Sequence, residues 1–131
     1  MRSFDTTRDR PAPRRWRGVT LAGEVLEGEF VRPTLIVAVK ADCLGCRSVL
    51  ESPADALGDV DVLLVAREAS GESWWAGSAH RVVVSPTLLD DLDVRWPPFY
   101  VLVDPRSQRV LTEGVVFAPE QVRGEIAAFV V

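Results

Sequence analysis

Two cysteines stand three residues apart in a chain of 131 residues, within Lys40-Ala41-Asp42-Cys43-Leu44-Gly45-Cys46-Arg47, and the sequence holds no others. A thiolate attacks a disulfide sulfur to give a mixed disulfide, and a second thiol close by resolves it, so a Cys-x-x-Cys pair has what disulfide exchange requires. The same spacing also supplies half of a zinc site. Which chemistry is open depends on the elements that carry the pair. A buried strand running directly into a helix sets both thiols at a helix N-terminus, where unpaired N–H groups and the helix dipole stabilise a thiolate.

Thr34 to Val39 is a continuous apolar run with β-branched residues, which predicts a central strand covered on both faces. Leu44 to Leu50 is expected to be helical, with Cys43 near its N-cap and Cys46 three residues on, so that both sulfurs face one side. Ser52-Pro53 reads as a break and a helical restart, with Ser52 as N-cap and Pro53 at the first helical position. Val60 to Ala66 is a second apolar run, and two strands joined through a helix imply a right-handed βαβ unit with a parallel pair.

Further along, Glu68 to Ala79 is expected to form a second helix, Arg81 to Val84 a short extended piece, and Ser85-Pro86 the start of a helical turn through Leu92. Phe99 to Val103 and Arg109 to Val116 flank the turn sequence Asp104-Pro105-Arg106-Ser107, which predicts an antiparallel hairpin. Pro119 opens a last amphipathic helix with Val122, Ile126 and Phe129 on one face. Before the first core strand, Trp16 to Val25 alternates weakly, as an edge strand or hairpin would. Met1 to Arg15 is rich in Arg, Asp and Pro without a hydrophobic period; it reads as a mobile arm ahead of a domain spanning residues 16–131.

Composition narrows the function classes. At 47% hydrophobic and 26% charged residues, the chain is an ordinary single globular domain. A net charge of −4 argues against nucleic acid as a partner, since phosphate binding needs a basic face. No segment reaches the apolar length of a membrane span, and the N-terminus lacks the apolar middle region of a secretory signal, so the chain as written is expected in the cytoplasm. Removal of an export signal or anchor would change that expectation to the extracytoplasmic side. In a reducing compartment, two cysteines suit a catalytic or metal-binding pair better than a structural disulfide.

Other chemistry finds little support. His80, the only histidine, is expected at the end of a helix with no cysteine placed beside it, and a zinc ion would want two strong ligands beyond Cys43 and Cys46. No metal is therefore expected. Asp90, Asp91 and Asp93 lack the spacing of a calcium loop and read as a solvated helix face. No Gly-rich phosphate loop or serine nucleophile motif is present. Trp74 and Trp75 are adjacent, so on a helix they cannot both face a core.

The order β, α, β, α, β, β, α, with Cys43-x-x-Cys46 after the first core strand, resembles the thioredoxin fold from about Thr34 to the end of the chain. A second landmark is Val94-Arg95-Trp96-Pro97-Pro98-Phe99-Tyr100-Val101-Leu102-Val103-Asp104. It looks like the family's loop and third core strand, with Pro98 at the position of a cis-proline facing the cysteine pair. The spacing from Ser85 onward and the lead-in strand near Val19 look most like the TlpA-like and MauD-like branch.

The resemblance implies a thioredoxin-like three-layer α/β/α sandwich with a mixed four-stranded core sheet plus an N-terminal extra strand. It implies a thiol–disulfide oxidoreductase that uses Cys43 as nucleophile and Cys46 as resolving thiol, with no cofactor beyond the Cys43–Cys46 disulfide. The expected partners are a protein thiol or disulfide substrate and a separate electron donor or acceptor. Lys40 and Arg47 are expected to favour the thiolate and Asp42 to oppose it. Trp96, Pro97 and Pro98 are expected to contact substrate.

Departures from the family narrow this expectation. Thioredoxins have Trp before the first cysteine and Gly-Pro between the pair, where this chain has Asp42 and Leu44-Gly45. The buried acid that serves many thioredoxins six residues before the first cysteine is replaced by Val37. The residue before the cis-proline normally pairs its backbone with a bound peptide, and Pro97 has no N–H to offer. A narrow substrate range or a dedicated partner follows. Trp96 either covers the disulfide from the opposite side or packs under its own loop. The competing function is a redox-inactive thioredoxin-like module that docks a partner through the Trp96/Pro98 surface.

Overall fold

The structure is a computed structural model that describes residues 10–69 and 77–130. Its centre is β3 (Thr34–Ala38), whose residues are all buried. Leu35 and Val37 point into one core and Ile36 and Ala38 into another, which is why this strand is apolar at every position rather than at alternate ones. β3 pairs in parallel with β4 (Asp61–Ala66) and antiparallel with β6 (Phe99–Asp104). Between β3 and β4 the chain forms α1 (Leu44–Leu50), completing the βαβ unit.

The remaining strands extend the sheet on both sides. β5 (Arg81–Val84) pairs in parallel with β4, and β7 (Arg109–Val115) forms the expected hairpin with β6. β1 (Arg15–Val19) and β2 (Val25–Glu29) form an antiparallel hairpin, and β1 meets β5 at Val19 and Val84. The sheet therefore has seven strands in the order β2-β1-β5-β4-β3-β6-β7. It is larger than the four-stranded core with one extra strand that the sequence suggests, because Arg81–Val84 joins the core and the lead-in folds into two strands. Gly28 makes the hairpin possible: a Cβ there would meet the Trp16 indole nitrogen at 2.7 Å.

Helices cover both faces, giving three layers. α2 (Pro86–Asp91), capped by the Ser85 hydroxyl, places Leu88 and Leu89 against Ile36, Val65, Val83 and Val101. α1 and α3 (Pro119–Ile126) lie on the other face, where Val49, Leu50, Val122 and Ile126 bury against Leu35, Val37, Leu64 and Leu102. Phe129, expected on the same face as Val122 and Ile126, lies beyond α3 and is 40% exposed.

Three further expectations change. Residues 10–15, expected to belong to a mobile arm over residues 1–15, are docked, while residues 1–9 lie outside the described residues. The Ala12 N–H donates to the Gln108 carbonyl, Pro11 bridges to Arg109, and the Arg10 side chain bonds the Leu92 carbonyl and Glu113. Ser52-Pro53 starts turns rather than a helix, because the Ser52 hydroxyl donates back to the Val49 carbonyl at 2.6 Å instead of capping forward. The helix expected over Glu68 to Ala79 falls largely outside the described residues, as do Trp74 and Trp75; Arg67 and Glu68 form a bend.

Candidate functional site

The cysteine pair sits where the central strand ends. Backbone pairing with β4 continues one residue past β3, with the Val39 N–H donating 2.9 Å to the Val65 carbonyl, and the chain then turns through Lys40, Ala41 and Asp42 into α1. Asp42 makes this turn with φ of 60°, a left-handed conformation that aspartate adopts more readily than most residues. Cys43 is the N-cap of α1, and its sulfur accepts the Cys46 N–H at 3.2 Å. Cys46 lies in the first turn, and its sulfur accepts the Lys40 N–H at 3.4 Å.

Cys43 and Cys46 are joined as a disulfide, with Cα atoms 5.2 Å apart. Their surroundings differ sharply. Cys46 is 0% exposed and belongs to the core beneath α1, whereas Cys43 is half-buried at the surface. Of the two, Cys43 is the one accessible from solvent. When the bond opens, the N–H already aimed at Cys43 stabilises negative charge on its sulfur.

The proline loop meets this pair. The Pro97–Pro98 peptide is cis. The Pro98 carbonyl accepts the Val116 N–H at 3.0 Å, which ties the loop to the end of β7. A Cβ on Gly45 would fall 2.8 Å from Pro98 Cγ and 3.0 Å from the Val116 carbonyl oxygen, so the glycine between the cysteines is what lets both segments close over the start of α1.

Of the remaining residues singled out from sequence, Pro97 and Pro98 are half-buried, and Trp96 is 77% exposed, so it does not pack under its loop. Lys40, Asp42 and Arg47 are all exposed around the first turn. Two residues at the rim escaped the sequence reading. Leu44 is 85% exposed beside Cys43, and Phe117 is 75% exposed just after Val116. A Leu at the second position of a Cys-x-x-Cys helix was a usable signal; nothing local marked Phe117.

His80 is not at the site. It is buried against the far end of α1, with Nε2 3.0 Å from the Ser52 hydroxyl oxygen. That hydroxyl spends its proton on the Val49 carbonyl, so the imidazole N–H is the donor between them. The Ser78 hydroxyl donates to the Leu50 carbonyl at 2.8 Å, and together these contacts satisfy the last carbonyls of α1. Burial pushes His80 below its ordinary pKa of 6.5, and a hydrogen bond to the Ser52 backbone opposes that shift. Among the described residues, no group of three or more His, Cys, Asp and Glu is placed to hold a metal ion, and no helix is long and apolar enough to cross a membrane.

No protein-family model and no curated protein matches the chain. Solved structures do. The thioredoxin domain of a thiol-disulfide oxidoreductase from Bacteroides vulgatus superposes with a TM-score of 0.67 at 17% identity, covering 93% of this chain and 96% of its own. A secreted Mycobacterium tuberculosis disulfide oxidoreductase gives 0.65 at 17% identity, over 86% and 95%. StoA from Bacillus subtilis gives 0.66 at 17% identity, over 88% and 98%. With its strand order and helix placement, this likeness shows that the chain has the thioredoxin fold. Its disulfide lies at the C-terminal end of the central strand, opposite a cis-proline.

Proposed function

We propose that this chain is a thiol–disulfide oxidoreductase acting on a partner protein, in the manner of the TlpA-like and MauD-like branch of its fold. The observation that carries the reading is the asymmetry of the pair: Cys43 open to attack at the helix N-terminus, Cys46 sealed in the core behind it. In the reducing direction, the Cys43 thiolate attacks a partner disulfide, one partner sulfur leaves as thiolate, and a Cys43–partner bond forms. Cys46 then attacks Cys43, releasing the second partner thiolate and regenerating the intramolecular disulfide. The reverse sequence oxidises a dithiol. No cofactor enters either sequence; a second dithiol or disulfide protein restores the starting state.

Trp96, Pro97 and Pro98 face the partner in this reading. Pro97 offers a carbonyl but no N–H, so a strand-like peptide loses one hydrogen bond and the apolar rim must supply the difference. That favours a dedicated partner over general reduction. Lys40 and Arg47 favour the thiolate and Asp42 opposes it. Likeness to a secreted oxidoreductase supports an extracytoplasmic site of action.

The test is trapping with Cys46→Ser, which leaves Cys43 without its resolving thiol. Accumulation of a mixed disulfide through Cys43 supports the reading; recovery of free protein alone counts against it. The exposure of Trp96 favours a second reading, a binding module without turnover. A Cys43→Ser/Cys46→Ser variant that keeps the biological role would establish that reading instead.

A further inference from the structure

β3 loses its partner on one side just before the cysteines. Register with β6 ends at Ala38 and Phe99, because β6 starts directly after Pro97 and Pro98, which have no N–H to give. The Val39 N–H goes the other way, 2.9 Å from the Val65 carbonyl of β4. Backbone groups alternate in direction along a strand, so the next N–H, that of Lys40, leaves toward the side where the ladder has stopped and needs another acceptor. Its acceptor is a sulfur: the Lys40 N–H donates to Cys46 Sγ at 3.4 Å.

That sulfur is fully buried and shares its core with Val37, Val39, Leu50 and Val116. Among the described residues, the Lys40 N–H is the one hydrogen-bond donor to Cys46 Sγ. Tyr100 brings a hydroxyl into the same core but donates it to Glu125 at 2.6 Å. Val37 stands where many thioredoxins carry a buried acid, so this core lacks that group beside the resolving thiol. Lys40 itself is exposed, so its ammonium is solvated while its backbone faces the buried sulfur.

We infer that the Lys40 backbone N–H is a catalytic group acting on Cys46, the donor that stabilises its thiolate each time the disulfide opens. This rests on the redox reading above. An incoming thiolate attacks Cys43 Sγ and bonds to it; the Cys43–Cys46 bond breaks, and its electron pair stays on Cys46 Sγ. The charge appears in an apolar core, where a donor fixed in advance counts for more than it would in water. In the resolving direction the Cys46 thiolate attacks Cys43 Sγ, the partner sulfur leaves as thiolate, and the same N–H favours the attacking anion. Cys43 has its own donor in the Cys46 N–H at 3.2 Å, so each sulfur carries one backbone N–H.

The experiment replaces the amide of Lys40 by an ester, through incorporation of the α-hydroxy analogue of lysine, which removes the N–H and keeps the ammonium. Reduction of the oxidised full chain by dithiothreitol should slow by about tenfold, the scale of one hydrogen bond to a charged group. Lys40→Ala keeps the N–H and removes the ammonium, and should slow the reaction by only about twofold, through the lost surface charge. Thionitrobenzoate loaded on Cys43 at low pH and released by a pH jump reports the resolving step, because Cys46 must attack to release it. The pH midpoint of release should rise in the ester form. A merely loosened helix would admit water to Cys46 and lower that midpoint.

A second measurement needs no variant. In the dithiol form of the unaltered chain, the Lys40 amide proton resonance should move downfield as Cys46 loses its proton, by more than those of Ala41 and Asp42. Equal reduction rates for amide and ester would overturn the inference, as would a Lys40→Ala loss matching that of the ester, a falling midpoint, or a Lys40 resonance that does not follow Cys46; all four leave the redox reading intact. Failure of dithiothreitol to reduce the disulfide of the unaltered chain would overturn the redox reading and this inference together.

Discussion

Pro98 rests on Gly45 so closely that the smallest side chain at Gly45 would sit 2.8 Å from the proline ring. The cysteine helix and the proline loop are thereby held at a separation set by a hydrogen atom. Gly45→Ala has two opposing effects: it gains up to about 1 kcal/mol of helix propensity and costs about 1–3 kcal/mol of overpacking. The neighbours are a ring and a backbone carbonyl rather than a flexible chain end, so overpacking wins. We expect net destabilisation of about 1–2 kcal/mol by urea unfolding, together with a changed rate of disulfide reduction by dithiothreitol.

The unequal burial of the two sulfurs predicts an alkylation order. In the dithiol form, iodoacetamide should modify Cys43 at least about tenfold faster than Cys46, because reactivity follows access as well as thiolate content. Mass spectrometry of partially labelled protein reads this directly. Comparable labelling of the two would contradict the placement of Cys46 in the core.

His80 predicts a pH dependence of stability. Its pKa is lowered in the fold, so the unfolded chain binds more protons once the pH drops below about 6.5, and stability falls with pH in that range. The contribution is complete above 6.5 and is lost as the pH falls through the lower folded value. Urea unfolding at pH 7.5 and 5.5, buffer values chosen to bracket the ordinary histidine pKa of about 6.5, should show the loss. In His80→Gln, the loss between these two pH values should shrink.

Arg10 predicts where the packed chain begins. Its guanidinium bonds the Leu92 carbonyl at the end of α2 and Glu113 on β7, joining two elements that are otherwise far apart in sequence. Arg10→Ala leaves these half-buried acceptors without that donor and should cost about 1–3 kcal/mol. Thermal unfolding checks this, and an unchanged midpoint would show that the segment does not contribute to the fold.

Tyr100 predicts a smaller effect on the other face. Its ring is buried, and its hydroxyl donates to Glu125 at 2.6 Å, tying β6 to α3. Tyr100→Phe keeps the packing and removes the bond, at a cost of about 1 kcal/mol.

By itself the sequence determined what short-range pattern controls. β3 and β4 were legible because strands covered on both faces must be apolar at every residue. α1, α2 and the β6–β7 hairpin were legible because Cys43, Ser85 and Asp104-Pro105 mark local boundaries through side-chain-to-backbone chemistry. The Cys43–Cys46 pair was legible because its partners are one helical turn apart.

Tertiary structure alone decided the contacts between segments distant in sequence. The Ser52–His80 bond, the docking of Arg10 and the exposure of Phe117 each depend on where another segment comes to rest. No period or motif encodes that. Even Gly45, which reads as a weak helix position, has its reason in Pro98, and the two meet only because β3 and β6 are neighbours in the sheet.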